Sequence, residues 1–333
     1  MNKALYFSLF KNCIVVKGAS RATICDLQNG NYIFITNYLA DLLLTSDKLT
    51  IGDLLNKYND ITENQLETLF NQLIEFNLGH YCKNPNNFPK INPVFKSPYD
   101  IHDCIIELSD INLSHIKPIL GSLTDLGCQI IELRSYDDFS IEKVEVILSL
   151  LETTRIRSAE LYLKYSNTVP ELSYENLVSK YPILDTFVIH SALFDDHKSI
   201  GASYILYTTQ CISSANCCGN ISKEDFKINL PFYLQGLETN TCLYKKVSIK
   251  ADGSITNCPS LEKKYGNIRD KSIEKVIKDP VFKESWGINK DQVKVCKDCE
   301  FRFICSDCRA FVNNKYDKPK KCNYDPYTNE YVG

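Results

Sequence analysis

The sequence predicts an α/β protein in three parts: an α+β module over residues 1–90, a partial (β/α) barrel over 100–210, and a cysteine-rich, metal-binding domain over 211–333. Three observations carry this. An Asn-Gly turn is followed by three helix starts near the N-terminus, short apolar runs alternate with helical periodicity from about residue 100, and seven of the fifteen cysteines fall from Cys242 onward.

In the first part, Thr23–Leu27 and Tyr32–Ile35 flank Gln28-Asn29-Gly30-Asn31. Asn-Gly between β-prone runs is a strong hairpin signal, because both turn positions tolerate positive φ. One helix is expected from Thr36 and another after Thr50. A third opens on Thr62-Glu63-Asn64-Gln65, a capping box, and puts Leu66, Leu69, Phe70, Leu73 and Ile74 on one face before Gly79 stops it. A hairpin with three short helices suggests a winged-helix-like module. The proline-punctuated stretch Lys83–Pro93 then reads as a linker, with a domain boundary near residue 90.

In the second part, Cys104–Leu108, Gln129–Leu133, Ala159–Leu163 and Thr186–Ile189 read as strands, with a further one at Tyr204–Tyr207. Leu113, Ile116, Ile119, Leu120, Leu123 and Leu126 form one helical face ended by Gly127, with Pro118 tolerated near its first turn. Ile141–Leu151 and Ser173–Lys180 give two more helices. Repeated β-α-β with short connections implies parallel strands and right-handed crossovers, in too few units to close an eight-fold barrel.

The formal charge is -3 and the pI about 6.0, which argues against a nucleic-acid partner held by a broad basic surface. The helix from Asn64 to Leu73 carries no lysine or arginine, so a DNA-reading role loses further ground. Met1–Lys11 lacks a cleavage-like site and no apolar stretch approaches bilayer length, so a cytoplasmic protein with no membrane partner is expected. In a reducing compartment, clustered cysteines are read as metal ligands rather than disulfides. Cys13, Cys25, Cys82, Cys104 and Cys128 are scattered in apolar surroundings and read as small hydrophobes.

The tail pairs Cys296 with Cys299 and Cys305 with Cys308, each three apart, a spacing that lets two thiolates grip one metal centre from a single turn. Zinc accepts four thiolates as well as iron does, and spacing alone leaves the two open. The five histidines, His80, His102, His115, His190 and His197, show no ligand spacing and read as surface or capping residues. Asp195-Asp196-His197 reads as a solvated loop, and Glu107 and Glu132 lie in strands from which either could face the barrel interior. No Walker or dinucleotide-type glycine loop occurs, and no residue is assigned as catalytic or cofactor-binding.

The order Cys242, Gly253, Cys258, Cys296-Lys297-Asp298-Cys299, Cys305-Ser306-Asp307-Cys308, Cys322 resembles the SPASM domain, which ends many radical S-adenosylmethionine enzymes acting on peptides. It departs in one place, having only Ser306 and Asp307 between the last two cysteines of the central motif. The resemblance implies two [4Fe-4S] clusters. Cys296, Cys299, Cys305 and Cys322 would hold one; Cys242, Cys258 and Cys308 would hold the other, with its fourth ligand open to Cys211, Cys217 or Cys218. The Cys-x3-Cys-x2-Cys motif of the radical enzymes is missing from Cys104–His115 and elsewhere, so neither S-adenosylmethionine nor radical activity is expected. The whole chain looks like the SPASM-domain peptide maturase of grasp-with-spasm systems. That resemblance implies a precursor peptide bound through its leader and an ATP-grasp ligase as partner. The alternatives are an Fe-S oxidoreductase that modifies the peptide itself and a redox-sensing DNA-binding regulator.

Overall fold

The computed structural model describes residues 1–331. The chain forms two compact units: Met1–Phe95, Ile221–Thr241 and the chain from Ile288 onward make the first, and Lys96–Asn220 with Cys242–Gly287 make the second. The cysteine-rich stretch is therefore divided between both units.

In the first unit, β1 (Tyr6–Leu9) precedes an antiparallel meander of β2 (Cys13–Lys17), β3 (Ala22–Asp26) and β4 (Asn31–Ile35). The β3–β4 turn is the expected one: Gly30 has φ +71, and the Asp26 carboxylate accepts from the N–H groups of Gln28 and Asn29 at 3.0 and 3.1 Å. Helices α1 (Asn37–Ser46), α2 (Ile51–Lys57) and α3 (Glu63–Glu75) start behind Thr36, Thr50 and Thr62. Each threonine hydroxyl accepts an orphan N–H of the first turn, and at α3 Gln65 Oε1 returns a bond from the Thr62 N–H at 2.9 Å. The helices pack on β1 and the meander through Phe7, Leu42, Ile51, Leu54, Leu66 and Phe70, with Phe7 and Phe70 stacked at 4.0 Å.

Gly79 does not end α3 as expected. Asn77, with φ +55, makes the turn, and Gly79 lies in β5 (Gly79–Cys82), paired antiparallel with β1. A Cβ there would stand 2.7 Å from Phe7 Cζ and 2.8 Å from the Ser8 carbonyl oxygen, so close strand packing is what requires the glycine.

All five residues of β3 are buried, because the meander is covered on both faces. The second covering layer is the tail: Val16, Cys25 and Leu27 pack with Phe301, Phe303, Ile304, Cys305 and Tyr324.

The second unit is α/β with a large open sheet, as expected for a partial barrel. β6 (Asp103–Glu107), α4 (Asp110–Ser114), α5 (Ile116–Asp125), β7 (Ile130–Arg134), α6 (Ile141–Leu151), β8 (Ser158–Lys164), α7 (Glu171–Lys180) and β9 (Leu184–His190) alternate along the chain. β10 (Asp196–Ile200), β11 (Ser203–Tyr207), β12 (Lys246–Ile249) and β13 (Ile255–Thr256) complete the order β10-β11-β9-β8-β7-β6-β12-β13. β11, β9, β8, β7, β6 and β12 run parallel, and an antiparallel strand closes each edge.

The helical face expected across Leu113–Leu126 is two helices, broken at His115 with Pro118 in the first turn of α5. Asp196 and His197 open strand β10, while Asp195 accepts from the Thr209 N–H at 2.8 Å. Gly253, at φ +80, turns β12 into β13. Among the described residues no helix is long and apolar enough to cross a membrane.

Candidate functional site

In the first unit the turn Cys296–Asp298 is entered through Val295, whose φ of +66 and ψ of -47 are costly for a β-branched residue. Lys294 O accepts from the Cys296 N–H at 2.8 Å across it, a γ-turn that aims the first cysteine. Cys299 closes the turn through its N–H to Cys296 O at 3.0 Å, and Cys305 caps the next turn through its N–H to Phe301 O at 3.0 Å. Cys322 bridges to Ile221 and packs with Cys299 and Cys305 in the apolar layer under the meander.

The β2–β3 hairpin grips this loop. Ala19 N–H donates to Asp298 O at 2.7 Å, Thr23 Oγ1 to Glu300 O at 3.0 Å, and Arg302 Nη1 to Lys17 O at 2.6 Å. Arg21 Nε meets the fully buried Glu300 carboxylate at 2.7 Å, and Tyr324 donates to the same oxygen.

Electrostatics join the four cysteines. Burial pushes the Cys296 thiol up to about 11, with Cys305 and Cys322 adding to the rise; burial also raises Cys299 and Cys305, with Cys305 adding to the rise at Cys299 and Cys322 to that at Cys305. Opposing them is Lys290, 5% exposed, which donates to Ser306 O at 3.0 Å and to Cys305, and which lowers Cys296, Cys299 and Cys305. Burial works against the Lys290 charge, but Cys305, Asp307 and Cys296 outweigh it and its pKa is raised.

Buried thiols that influence one another, beside a buried ammonium, suit an anionic, thiolate-held group, because such a group would compensate the lysine and displace the thiol protons. Bound iron-sulfur would supply electron storage there. Among the described residues no three His, Cys, Asp or Glu side chains are grouped to hold one metal ion.

Cys308 lies buried in the first unit, next to Asp307 and Arg309, whose ion pair spans 2.6 Å. Cys242 and Cys258 belong to the second unit, where both raise the pKa of Lys246 against its burial. Cys211, Cys217 and Cys218 are also in that unit; Cys217 Sγ lies 3.8 Å from Cys211 O, and Arg134 Nη2 lies 4.0 Å from Cys218 Sγ. Cys13, Cys25, Cys104 and Cys128 are buried, and burial raises all four thiols.

Two further features stand out, the first around Glu107 and Glu132, whose strand positions were expected to allow either to face the barrel interior, the second a groove with no sequence signal of its own. On one face of the parallel sheet, Glu107, Arg134 and Tyr162 stand in register, as do Ile105, Glu132 and Glu160. There Glu107 accepts from Tyr136 Oη at 3.1 Å and Ala251 N–H at 2.9 Å, and Arg134 is ion-paired with Glu132. Glu107, Arg134 and Tyr136 border a cavity of about 210 Å³ reached by Ser109, Asp110 and Lys143. The period-2 alternation of Ile130–Arg134 and Ser158–Lys164 held that signal. His190, expected at the surface, is buried, its Nε2 2.9 Å from Ser135 O.

The other feature is a groove of about 530 Å³ in the first unit, between α3 and β4, the outer strand of the meander. Arg21, Phe34, Leu39, Leu69, Leu73 and Phe76 line it. Phe76 is 65% exposed, and the Arg21 guanidinium lies 3.6 Å from the Phe34 ring centroid.

Residues 241–300 match the SPASM family, an iron-sulfur cluster-binding domain. That stretch contains Cys242, Cys258, Cys296 and Cys299. No curated protein matches the chain. Three solved structures of Streptococcus suis SuiB are similar over most of it. One aligns with 11% identity and a TM-score of 0.36, covering 94% of this chain and 99% of its own. SuiB bound to S-adenosylmethionine aligns with 12% identity and a TM-score of 0.35 over 97% and 99%. SuiB bound to the precursor peptide SuiA aligns with 10% identity and a TM-score of 0.35 over 93% and 98%. Likeness at that level carries no functional argument for this chain. The expectation that S-adenosylmethionine plays no part is corrected to this extent: one of the similar structures was solved with it bound.

Proposed function

We propose that this chain is a maturation protein for a ribosomally synthesised peptide. Residues 1–90 bind the precursor's leader, and the tail holds iron-sulfur on Cys296, Cys299, Cys305 and Cys322, with Cys242, Cys258 and Cys308 as further ligands. The observation that carries the reading is the groove beside β4. A leader laid along β4 as an added strand would satisfy that edge's outward N–H and C=O groups, and Leu39, Leu69, Leu73 and Phe76 would receive its alternate side chains. The net charge of -3 favours a peptide over nucleic acid. In this reading the protein belongs with grasp-with-spasm systems and presents the peptide to an ATP-grasp ligase in a reducing cytoplasm, which its fifteen free thiols suit.

A second reading, direct redox modification of the peptide by this chain, is favoured by the polar face that Glu107, Glu132, Arg134 and Tyr136 build in the second unit.

Binding of a fluorescent precursor peptide encoded beside the gene tests the first reading. Phe76→Asp, at an exposed rim position, is expected to weaken binding about tenfold, or about 1.4 kcal/mol, without changing the melting temperature. Unchanged affinity would remove the groove from the account. Anaerobic purification is expected to yield iron and acid-labile sulfide in equal amounts, and stoichiometric zinc without sulfide would end the iron-sulfur assignment.

A further inference from the structure

Lys290 occupies an unusual electrostatic position. It sits in the one-turn segment Lys290–Gln292, well before Cys296 in sequence, yet its side chain is buried and donates to Ser306 O at 3.0 Å and to Cys305. The carboxylate near it is Asp307, which is already committed: Arg309 meets it at 2.6 Å and Asn240 Nδ2 donates to it at 2.9 Å. Counting Lys290, Asp307 and Arg309 together leaves one positive charge in a volume from which water is excluded. A buried ammonium without a full counter-charge costs several kcal/mol, so the fold has reason to place it only where negative charge gathers. Ser306 O, which accepts from Lys290 Nζ at 3.0 Å, also accepts from the Cys305 thiol at 3.4 Å, so the ammonium stands beside that sulfur.

We propose that Lys290 is a positioning residue that sets the reduction potential of the centre on Cys296, Cys299, Cys305 and Cys322, holding it higher than thiolate ligation alone would. Reduction adds one electron to the centre and makes it more negative. A fixed ammonium beside one ligand sulfur stabilises that reduced state more than the oxidised one, through charge and through hydrogen bonding to sulfur. The inference rests on the iron-sulfur reading of the tail.

The test is an anaerobic titration of the full-length, cluster-loaded protein with dithionite as electron donor, following the EPR signal of the reduced form, after iron and sulfide have been counted in every sample. At a fixed solution potential, Lys290→Met is expected to lower the reduced-to-oxidised ratio about tenfold, which for one electron is a shift of about 59 mV. Lys290→Arg, which keeps the charge, is expected to stay close to the native curve. Native-like titration of Lys290→Met overturns the proposal. Loss of iron from Lys290→Met and Lys290→Gln, whether or not Lys290→Arg keeps it, assigns Lys290 to holding the centre rather than to tuning it and overturns the proposal. Absence of iron and sulfide from the unmodified protein would instead sink the iron-sulfur reading itself.

Discussion

His80 lies between aromatic rings, stacked on Phe10 at 5.2 Å and edge-on to Phe88 at 4.6 Å, and neither of its nitrogens has a hydrogen-bond partner among the described residues. Burial, helped by Lys11, lowers its pKa below the usual histidine value. The neutral ring is thus the native form. The unfolded chain binds a proton more readily, so stability falls as pH drops through about 6.5 toward the lower folded value. His80→Phe is expected to keep the neutral-pH melting temperature and to lose less of it between about pH 7 and pH 5.5, measured by circular dichroism; an acid limb identical to the native one would show that other groups control it. Val295 and Lys290 make a related point. A strained backbone and a buried charge, both at the entrance to the thiolate loop, are costs a merely structural turn has no need to carry.

Among the elements, α3 has the most complete local code. Thr62 and Gln65 form the reciprocal capping box, and Leu66, Phe70 and Leu73 are buried on one side. Because Leu69, Gln72 and Leu73 of the same helix also line the groove, the cap also steadies one wall of the proposed peptide site. Thr62→Ala is expected to cost about 1 kcal/mol in urea unfolding, and Thr62→Ser to cost little. Equal losses for both would mean the threonine methyl, not the hydroxyl, matters. The β2–β3 hairpin depends instead on distant partners: its backbone and Arg21 bond the loop between Cys296 and Cys305.

On the scale of the whole molecule, the first unit is assembled from three separated stretches. Residues 1–95 cut free would expose Val16, Cys25 and Leu27, which the tail otherwise covers. Such a fragment is expected to associate, eluting ahead of its monomer mass on size exclusion, because an apolar sheet face with an open edge invites pairing. A clean, folded monomer would show that the tail is dispensable to the front module. The proposed recognition groove and the Cys296–Cys322 thiolates therefore stand or fall together within one unit.

Much of this was legible locally. The Asn29-Gly30 turn, the threonine caps of α1–α3 and the alternating strands and helices from Asp103 to Tyr207 are encoded within a few residues of where they act, through φ preference, orphan N–H groups and apolar period. The tail's cysteine spacing raises the expectation of ligand chemistry, which the anaerobic iron and sulfide count tests. The pairing of β1 with β5, the seating of β12 beside β6, and the burial of Lys290 against Cys305 were decided by tertiary structure alone. Each joins residues whose attraction exists only once distant segments have closed on one another, and no local propensity reports the energy of a contact that the chain has yet to make.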